Sequence, residues 1–298
     1  MSTSLASSQS LKTAVLFLVF NRLENTKKVF EEIRVARPPR LYIASDGARP
    51  NVDGENNEVE DVRNFILSNI DWPCDVKTLF QKENLGCKLA VSGAITWFFE
   101  NEEWGIILED DCVPSQSFFW FCDELLQKYK NDFRIWLISG DNFQDGINRG
   151  SASYYFSKLN HIWGWATWAD RWNYYDVEIK TFKTFKKENK INSFFSDKLQ
   201  QDYWLSIFEQ VYEGNIDTWD YQWNFTVLSN NGLSVIPNKN LISNIGFGSD
   251  ATHTKSLESE FSNMQRYEIP KDIVHPNFIV ADSDADKLTS SKFLKKDC

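Results

Sequence analysis

The chain has 298 residues, enough for one large α/β domain with a sizeable core. Its 42 acidic residues outnumber its 32 basic ones, and the resulting net charge of −10 argues against a nucleic-acid binder, which needs a basic surface to displace counterions from phosphates. The first long apolar run, Ala14 to Phe20, is too short to cross a bilayer, and its flanks do not suggest a signal peptide. The five cysteines include no CxxC pair, which is typical of reduced thiols in a cytoplasmic protein.

The first half of the chain alternates strand-like and helix-like segments. Thr13 to Phe20 is a continuous apolar run, as expected for a strand covered on both faces. The next helix has Val29 and Ile33 on its inner face, and Pro38-Pro39 stops it. Further strands are predicted at 41–44, 76–80 and 104–108, and further helices at 55–70 and 87–99.

This alternation predicts an α/β fold, with a mostly parallel central sheet and helices on both faces, in a single large domain. Such sheets bind their ligands at the carboxyl ends of the strands. Four polar groups directly follow predicted strands, and we therefore expect them at one edge of the sheet: Asn21-Arg22, Ser45-Asp46-Gly47, Lys82-Glu83-Asn84 and Glu109-Asp110-Asp111.

The second half is less regular. An amphipathic helix from Phe118 to Tyr129, with Ser115 as its N-cap, precedes a strand at 135–138. Helices are predicted at 203–212 and 220–228, and a strand at 233–236. The first residues, and the chain beyond Thr252, are predicted to be loosely ordered tails. The lysines of the second tail favour at most a peripheral contact with a membrane.

Three acids in succession end the apolar run at 106–108. Strand alternation points Glu109 and Asp111 to one side and Asp110 to the other. Grouped carboxylates repel one another unless a cation is recruited, and Mn²⁺ or Mg²⁺ fits because each is held by one or two carboxylates plus substrate phosphates. The alternative is a solvated loop whose acids lie near the N-terminus of the helix after Ser115.

The pattern resembles the GT-A glycosyltransferases, and most closely the N-acetylglucosaminyltransferase I group, in which an EDD triplet replaces the common DxD. The resemblance covers roughly the first half of the chain and the second half in patches. It implies a GT-A-type sheet, a UDP-sugar donor and a divalent metal. It rests on three segments: Val19-Phe20-Asn21-Arg22, Ser45-Asp46-Gly47, and Ile107-Leu108-Glu109-Asp110-Asp111 with Pro114 and Phe118-Phe119 behind it.

By this resemblance each residue of the predicted edge receives a role. Asp111 would bind the metal, Asp110 would contact the ribose, and Glu109 would help to hold the sugar. Arg22 would face the diphosphate, and Asp46 would bind the edge of the uracil. Asn84 belongs to a segment like the Asn-x-Gly turn beside the nucleotide in many of these enzymes, although a plain strand-to-helix turn explains its glycine equally well.

The candidate catalytic base is Asp220. It lies between Trp219 and Trp223, which are one helical turn apart and would hold it rigidly. The segment is similar to the Trp-Asp-Asp-Trp that carries the base in the same group, but its spacing differs by one residue. Asp220 as an ordinary first-turn acid of a helix is the alternative. Asp217 and Asp202 are weaker candidates.

Two later segments carry the remaining expectations. The stretch from His161 to Trp168 resembles the Gly-Trp segment that lines the donor sugar in the same group, so Trp163 or Trp165 could stack on a sugar ring. Core packing explains at least one of these tryptophans equally well. His253 follows a glycine-rich stretch and could contact the metal or the pyrophosphate, with an exposed histidine as the alternative.

These residues and the resemblance together predict a metal-dependent transferase that moves a hexosyl or N-acetylhexosaminyl group to a glycan or other hydroxyl acceptor. The resemblance implies that the donor is a UDP-sugar and that the reaction is inverting. A sugar-phosphate nucleotidyltransferase is an alternative, although the segment after the first strand has no glycine-rich phosphate loop. A non-catalytic carbohydrate-binding module is another. The chain divides into a tail (1–12), a nucleotide-binding half (13–112), an acceptor and donor-sugar half of the same domain (113–252), and a C-terminal extension (253–298).

Overall fold

The structure is a computed structural model that describes residues 11–247 and 259–296. Its main sheet has eight strands in the order β3-β2-β1-β4-β8-β6-β9-β7. Six of these strands run in one direction, whereas β7 and β8 run in the other. The predicted α/β fold with a mostly parallel central sheet is therefore confirmed.

The parallel part of the sheet follows the sequence prediction closely. The first strand is buried along its whole length, which explains its unbroken apolar run. The first helix ends at Ala36, and the next residue, Arg37, adopts the left-handed conformation just before Pro38-Pro39. The elements are β1 (Ala14–Val19), α1 (Leu23–Ala36), β2 (Arg40–Ser45), α2 (Glu55–Asn69), β3 (Asp75–Phe80), α3 (Gly86–Phe99) and β4 (Trp104–Glu109).

The second part of the chain completes the sheet and adds helices. The short strands β5, β7, β8 and β10 were not predicted, whereas the helices at 203–212 and 220–228 and the strand at 233–236 are confirmed. The elements are β5 (Cys112–Pro114), α4 (Gln116–Tyr129), β6 (Ile135–Ser139), β7 (Tyr154–Ser157), β8 (Trp165–Trp168), α5 (Ala169–Trp172), α6 (Phe182–Lys187), α7 (Lys198–Tyr212), α8 (Asp220–Ser229), β9 (Leu233–Pro237), β10 (Ile242–Asn244) and α9 (Ser283–Lys296).

The described part of the C-terminal extension is folded against the domain, so the prediction of a loosely ordered tail is wrong for residues 259–296. Helix α9 contributes a buried Ala285, and Asp282 donates its backbone N–H to Phe156 O of the edge strand β7 at 2.8 Å. Glu268 accepts the backbone N–H groups of Gln116 and Ser117 at 2.8 and 2.7 Å. A carboxylate at this end of α4 satisfies unpaired N–H groups and favours the helix dipole.

The core has an apolar layer on each face of the sheet. Helices α1, α2 and α4 cover one face, and α3 with a tryptophan cluster covers the other. Four cysteines lie in the described ranges, all of them free, and Cys112 and Cys122 are buried. None of the helices that the structure describes is long and apolar enough to cross a bilayer.

Candidate active site

The acid triplet lies at the carboxyl end of β4, in the interior of the sheet. Glu109 is the last residue of β4 and pairs in register with Leu18 of β1. Asp110 and Asp111 follow it, and both accept a hydrogen bond from the guanidinium of Arg22, at 2.9 Å for Asp111 Oδ2. The structure therefore brings Arg22 and the triplet together, as the parallel strand ends predict, and one guanidinium neutralises part of the acidic charge.

The electrostatics of this cluster are dominated by burial. Burial raises the pKa of Glu109 well above its usual range, and the charges of Asp111, Asp110 and Asp220 raise it further. Burial also raises the pKa of Asp110, which Arg22 opposes. Burial disfavours the charged form of Arg22, but the two aspartates outweigh this effect and hold its pKa above the ordinary value. The cluster has more carboxylates than cations, and a further cation would relieve their repulsion.

Gly246 lies directly against the carboxyl group of Asp111. The backbone N–H of Ile245 donates to Asp111 O at 2.8 Å, and β10 pairs with β5 beside it. A Cβ at position 246 would lie 2.6 Å from Asp111 Cγ, so a side chain there requires Asp111 to move. His253 lies outside the described residues, and its predicted contact stays a prediction.

Asp46 and Asn84 lie together, as predicted, and they connect two loops. Asn84 Nδ2 donates to Asp46 Oδ2 at 3.0 Å, and the same carboxyl group accepts the backbone N–H groups of Gly47 (2.8 Å), Leu85 (2.9 Å) and Gly86 (3.1 Å). Burial raises the pKa of Asp46, which these backbone donors oppose. A uracil would have to share or displace these bonds. The assigned contact of Asp46 with the base stays a prediction.

Arg63 supports the same loops and was not singled out from the sequence. Its guanidinium donates to the carbonyl groups of Asp46 and Gln81, each at 2.9 Å, and to Ser45 Oγ at 3.0 Å. It also lies over the ring of Phe80 at 4.9 Å. Arg63 thus joins the carboxyl ends of β2 and β3. Its position between Val59 and Ile66 on the apolar face of α2 was a signal of burial.

Asp220 begins α8 and lies near the triplet. Its charge raises the pKa of Glu109 and contributes, after burial and Glu109, to the raised pKa of Cys87 in α3. Of the two weaker candidates, Asp217 lies close to Gly86, with its Oδ2 3.1 Å from where a Cβ on that glycine would be. Asp202 pairs with a lysine on the exposed surface of α7. The structure thus places Asp220, the residue predicted to be the base, within electrostatic range of the acids.

The two tryptophans predicted at the sugar differ in their surroundings. Trp165 in β8 is 0% exposed and stacks on Trp219 with ring centroids 5.8 Å apart. It has no surface for a sugar, so we correct its assignment from ligand contact to core packing. Trp163 is half-buried and packs edge-on against Phe143 at 5.3 Å and Phe247 at 5.6 Å.

A buried polar pair lies behind this segment and was missed by the sequence interpretation. Asp141 follows β6, and its Oδ1 lies 3.6 Å from Nδ1 of His161. Burial lowers the pKa of His161 to about 4 and raises that of Asp141 well above its usual range. The charge of Asp141 also adds to the raised pKa of Cys112, beside the triplet. Such a pair leaves no sequence signal, because its members are 20 positions apart and surrounded by aromatic residues.

Comparison with known proteins gives only weak structural similarities. No protein-family model and no curated protein matches the sequence. The chain is similar to HddC from Yersinia pseudotuberculosis, with 10% identity and a TM-score of 0.33 over 53% of this chain and 78% of that one. It is similar to UDP-glucose pyrophosphorylase complexed with UDP-glucose (12%, 0.31, 55% and 78%) and to the galactosyltransferase LgtC complexed with donor and acceptor sugar analogs (12%, 0.33, 58% and 65%). Similarities of this size assign neither a family nor an activity.

The site contains one unpaired and one partly exposed carboxylate oxygen donor, which is the kind of ligand that a divalent cation uses. Within residues 11–247 and 259–296, no group of three or more His, Cys, Asp and Glu side chains is arranged to hold a metal. Mg²⁺ and Mn²⁺ do not require such a group, because one or two carboxylates with waters and phosphates are sufficient. Asp110 Oδ2 is buried and has no hydrogen-bond partner among the described atoms, and Asp111 is partly exposed.

Proposed function

We propose that this chain is an inverting glycosyltransferase that moves a sugar from a UDP-sugar to a hydroxyl group of a glycan or other acceptor. The observation that carries the proposal is the joint position of three features at one edge of the sheet. These are the acid triplet at the end of β4, Arg22 after β1, and Asp220, whose neighbour Trp219 stacks on the Trp165 that pairs with Ile107 of β4. A diphosphate site and a separate carboxylate base are the two parts that sugar transfer requires.

Each residue of the edge has a proposed part in binding the donor. Asp111 would hold Mn²⁺ or Mg²⁺, which when bound would offset the negative charge of the departing diphosphate. Arg22 would bind the diphosphate by exchanging part of its contact with Asp110 and Asp111 for phosphate oxygens. Asp110 would contact the ribose and Glu109 the sugar, as the resemblance to GT-A enzymes implies.

Asp46 and Asn84 would shape the pocket that binds the uracil of the donor. Their mutual hydrogen bond and the backbone donors around Asp46 hold the loops after β2 and β3 in place. Trp163, which keeps part of its surface exposed, would lie on the sugar side. His253 is proposed at the metal or the pyrophosphate, as in the sequence prediction.

The reaction needs one proton transfer. The oxygen of the acceptor hydroxyl forms a bond to the anomeric carbon while its proton passes to Asp220. The bond between that carbon and the diphosphate oxygen breaks, and UDP leaves as the anion. Because attack and departure occur on opposite faces of the sugar, the configuration inverts. A base of this kind contributes about 10²–10⁴-fold to the rate.

A nucleotidyltransferase is less well supported by the local structure. After β1 the chain passes through Asn21 and Arg22 directly into α1, and no glycine lies in this connection. Asn21 is bonded to Glu55 and Glu58, and Arg22 to the aspartates of the triplet. The backbone cradle that a triphosphate needs is thus replaced here by side chains with acidic partners.

The test is UDP release from a panel of UDP-sugars, measured with Mn²⁺, with Mg²⁺ and with chelator. We expect metal-dependent release that Asp111→Ala abolishes. Asp220→Asn should lower turnover by about 10²–10⁴-fold and leave UDP affinity nearly unchanged, because in this proposal Asp220 acts on the acceptor and does not bind the nucleotide. Asp202→Asn is the matched control, since Asp202 is an exposed carboxylate bonded to Lys198.

Three outcomes would contradict parts of the proposal. Loss of UDP affinity in Asp220→Asn would refute its role as the base. Binding of UDP-sugars without release under any condition would support a carbohydrate-binding module instead. Formation of a nucleotide sugar and pyrophosphate from a nucleoside triphosphate and a sugar phosphate would support the nucleotidyltransferase.

A further inference from the structure

One oxygen of the Asp220 carboxyl group is held by the protein, and the other is not. The hydroxyl group of Thr218 and the backbone N–H of Tyr221 both donate to Asp220 Oδ1, the latter at 2.9 Å. Asp220 Oδ2 accepts no hydrogen bond from the residues that the structure describes. The carboxyl group is thus fixed at Oδ1, and Oδ2 has no partner within the described residues.

The turn that carries Thr218 is held rigidly. Thr218 is buried, and its carbonyl oxygen accepts a hydrogen bond from Gln222 Nε2 at 2.6 Å. The carbonyl oxygen of Trp219 accepts a hydrogen bond from the hydroxyl group of Tyr175 at 3.1 Å. The indole ring of Trp219 stacks on Trp165. The Thr218 hydroxyl group is therefore a donor at a fixed position and not a surface group that rotates freely.

The electrostatic surroundings of Asp220 make this donor important. The charge of Asp220 adds to the effect of burial in raising the pKa of three side chains, namely Glu109 of β4, Cys87 of α3 and Tyr175. Asp217 also acts on Cys87 from the same turn. Within residues 11–247 and 259–296, no lysine or arginine forms an ion pair with Asp220, so the hydrogen bonds from Thr218 and Tyr221 are the contacts that orient its carboxylate. A base oriented by a third group is a common arrangement in catalytic sites.

We propose that Thr218 is a positioning residue for Asp220: its hydroxyl group fixes Oδ1, so that Oδ2 faces the acceptor hydroxyl and receives its proton. This inference rests on the proposed sugar transfer and adds to it the residue that sets the geometry of the base. Thr218 touches neither substrate, and its effect passes through Asp220 alone.

The test compares Thr218→Val with Thr226→Val. Thr226 lies in α8, eight residues after Thr218, is buried, and donates its hydroxyl to the carbonyl oxygen of Gln222 at 2.8 Å. Thr218→Val should lower kcat by about ten- to hundred-fold, as expected for a lost hydrogen bond to a charged group, with KM and UDP affinity unchanged. Thr218→Ser, which keeps the hydroxyl group, should recover most of the rate, and Thr226→Val should leave it unchanged.

A double-mutant cycle with Asp220→Asn separates positioning from folding. If Thr218 acts only through Asp220, the Val substitution costs nothing further in the Asn background. Equal costs in both backgrounds, or a kcat of Thr218→Val equal to that of Thr226→Val, would overturn the proposal. Thr218→Ala replaces Val in the cycle if the Val protein does not fold. A wild-type protein that transfers no sugar refutes the proposed function itself, and this outcome is distinct because it appears before any variant is compared.

Discussion

The contact between Gly246 and Asp111 offers a direct test of how closely the site is built. In Gly246→Ala the new Cβ would lie 2.6 Å from Asp111 Cγ and 2.9 Å from its Cβ, far inside normal contact distance. The carboxyl group must turn away, and its 2.9 Å bond to Arg22 stretches or breaks. Insertion of a methyl group into a packed site of this kind costs about 1–3 kcal/mol. We expect the free energy of unfolding to fall by that amount and the affinity for UDP with Mn²⁺ to fall at least about tenfold.

The control for this substitution is Gly93→Ala. Gly93 is exposed in α3, and nothing lies within 4 Å of the position that a Cβ would take. The same chemical change should there raise the free energy of unfolding by about 0.5–1 kcal/mol, because glycine inside a helix loses more entropy on folding than alanine. Urea denaturation gives the stabilities, and calorimetric titration gives the affinities. A Gly246→Ala protein with wild-type stability and UDP affinity would show that Asp111 is not confined as described.

Two further substitutions test buried groups around the site. Arg63→Met should lower the free energy of unfolding by about 2–4 kcal/mol because it leaves the partly buried carbonyl oxygens of Asp46 and Gln81 without this donor. Arg34→Met, at a more exposed arginine, is the control, and equal effects would refute the role of Arg63. Burial lowers the pKa of His161 in the folded protein to about 4, below its ordinary value. As pH falls from about 6.5 towards 4, the unfolded chain therefore binds a proton at this histidine while the folded protein does not, and the free energy of unfolding decreases. Relative to His161→Gln, the wild type should lose up to about 3 kcal/mol over this range in pH-dependent urea denaturation; a constant difference, or the same change in the partly exposed His275→Gln, would contradict this assignment.

The parallel half of the fold was predictable because its signals are local. Runs such as Ala14–Val19 are apolar throughout, and Pro38-Pro39 marks where the first helix must end. Once the strands are parallel, their carboxyl ends share one edge of the sheet, so Arg22 and the triplet are expected on the same side. Their direct contact depends in addition on the pairing of β1 with β4, which the sequence pattern did not predict.

The second half depends on contacts between residues that are distant in sequence. The four residues of β8 are buried on both faces and read as an aromatic cluster rather than a strand. The helix α9 has a weakly amphipathic sequence, and its burial comes from docking against the loop after β6, where Gln144 donates to Thr289 at 2.9 Å. Arg63 shows the converse case, in which a charged residue occupies an inner position of a helix because backbone carbonyl oxygens are present to accept its hydrogen bonds.

The burial of Trp165 changes how the aromatic content of the chain relates to the proposed function. Strand β8 runs against β4, and their register pairs Trp165 with Ile107, two residues before Glu109. The other side of Trp165 stacks on Trp219, the residue before Asp220. One buried indole thus spans the distance between the strand that ends in Glu109 and the helix that begins with Asp220. Trp165, one of the two tryptophans that were predicted to bind sugar, instead sets the separation of the groups that would act on it. A packed aromatic core is better suited to that task than a flexible loop because its rings have few alternative positions.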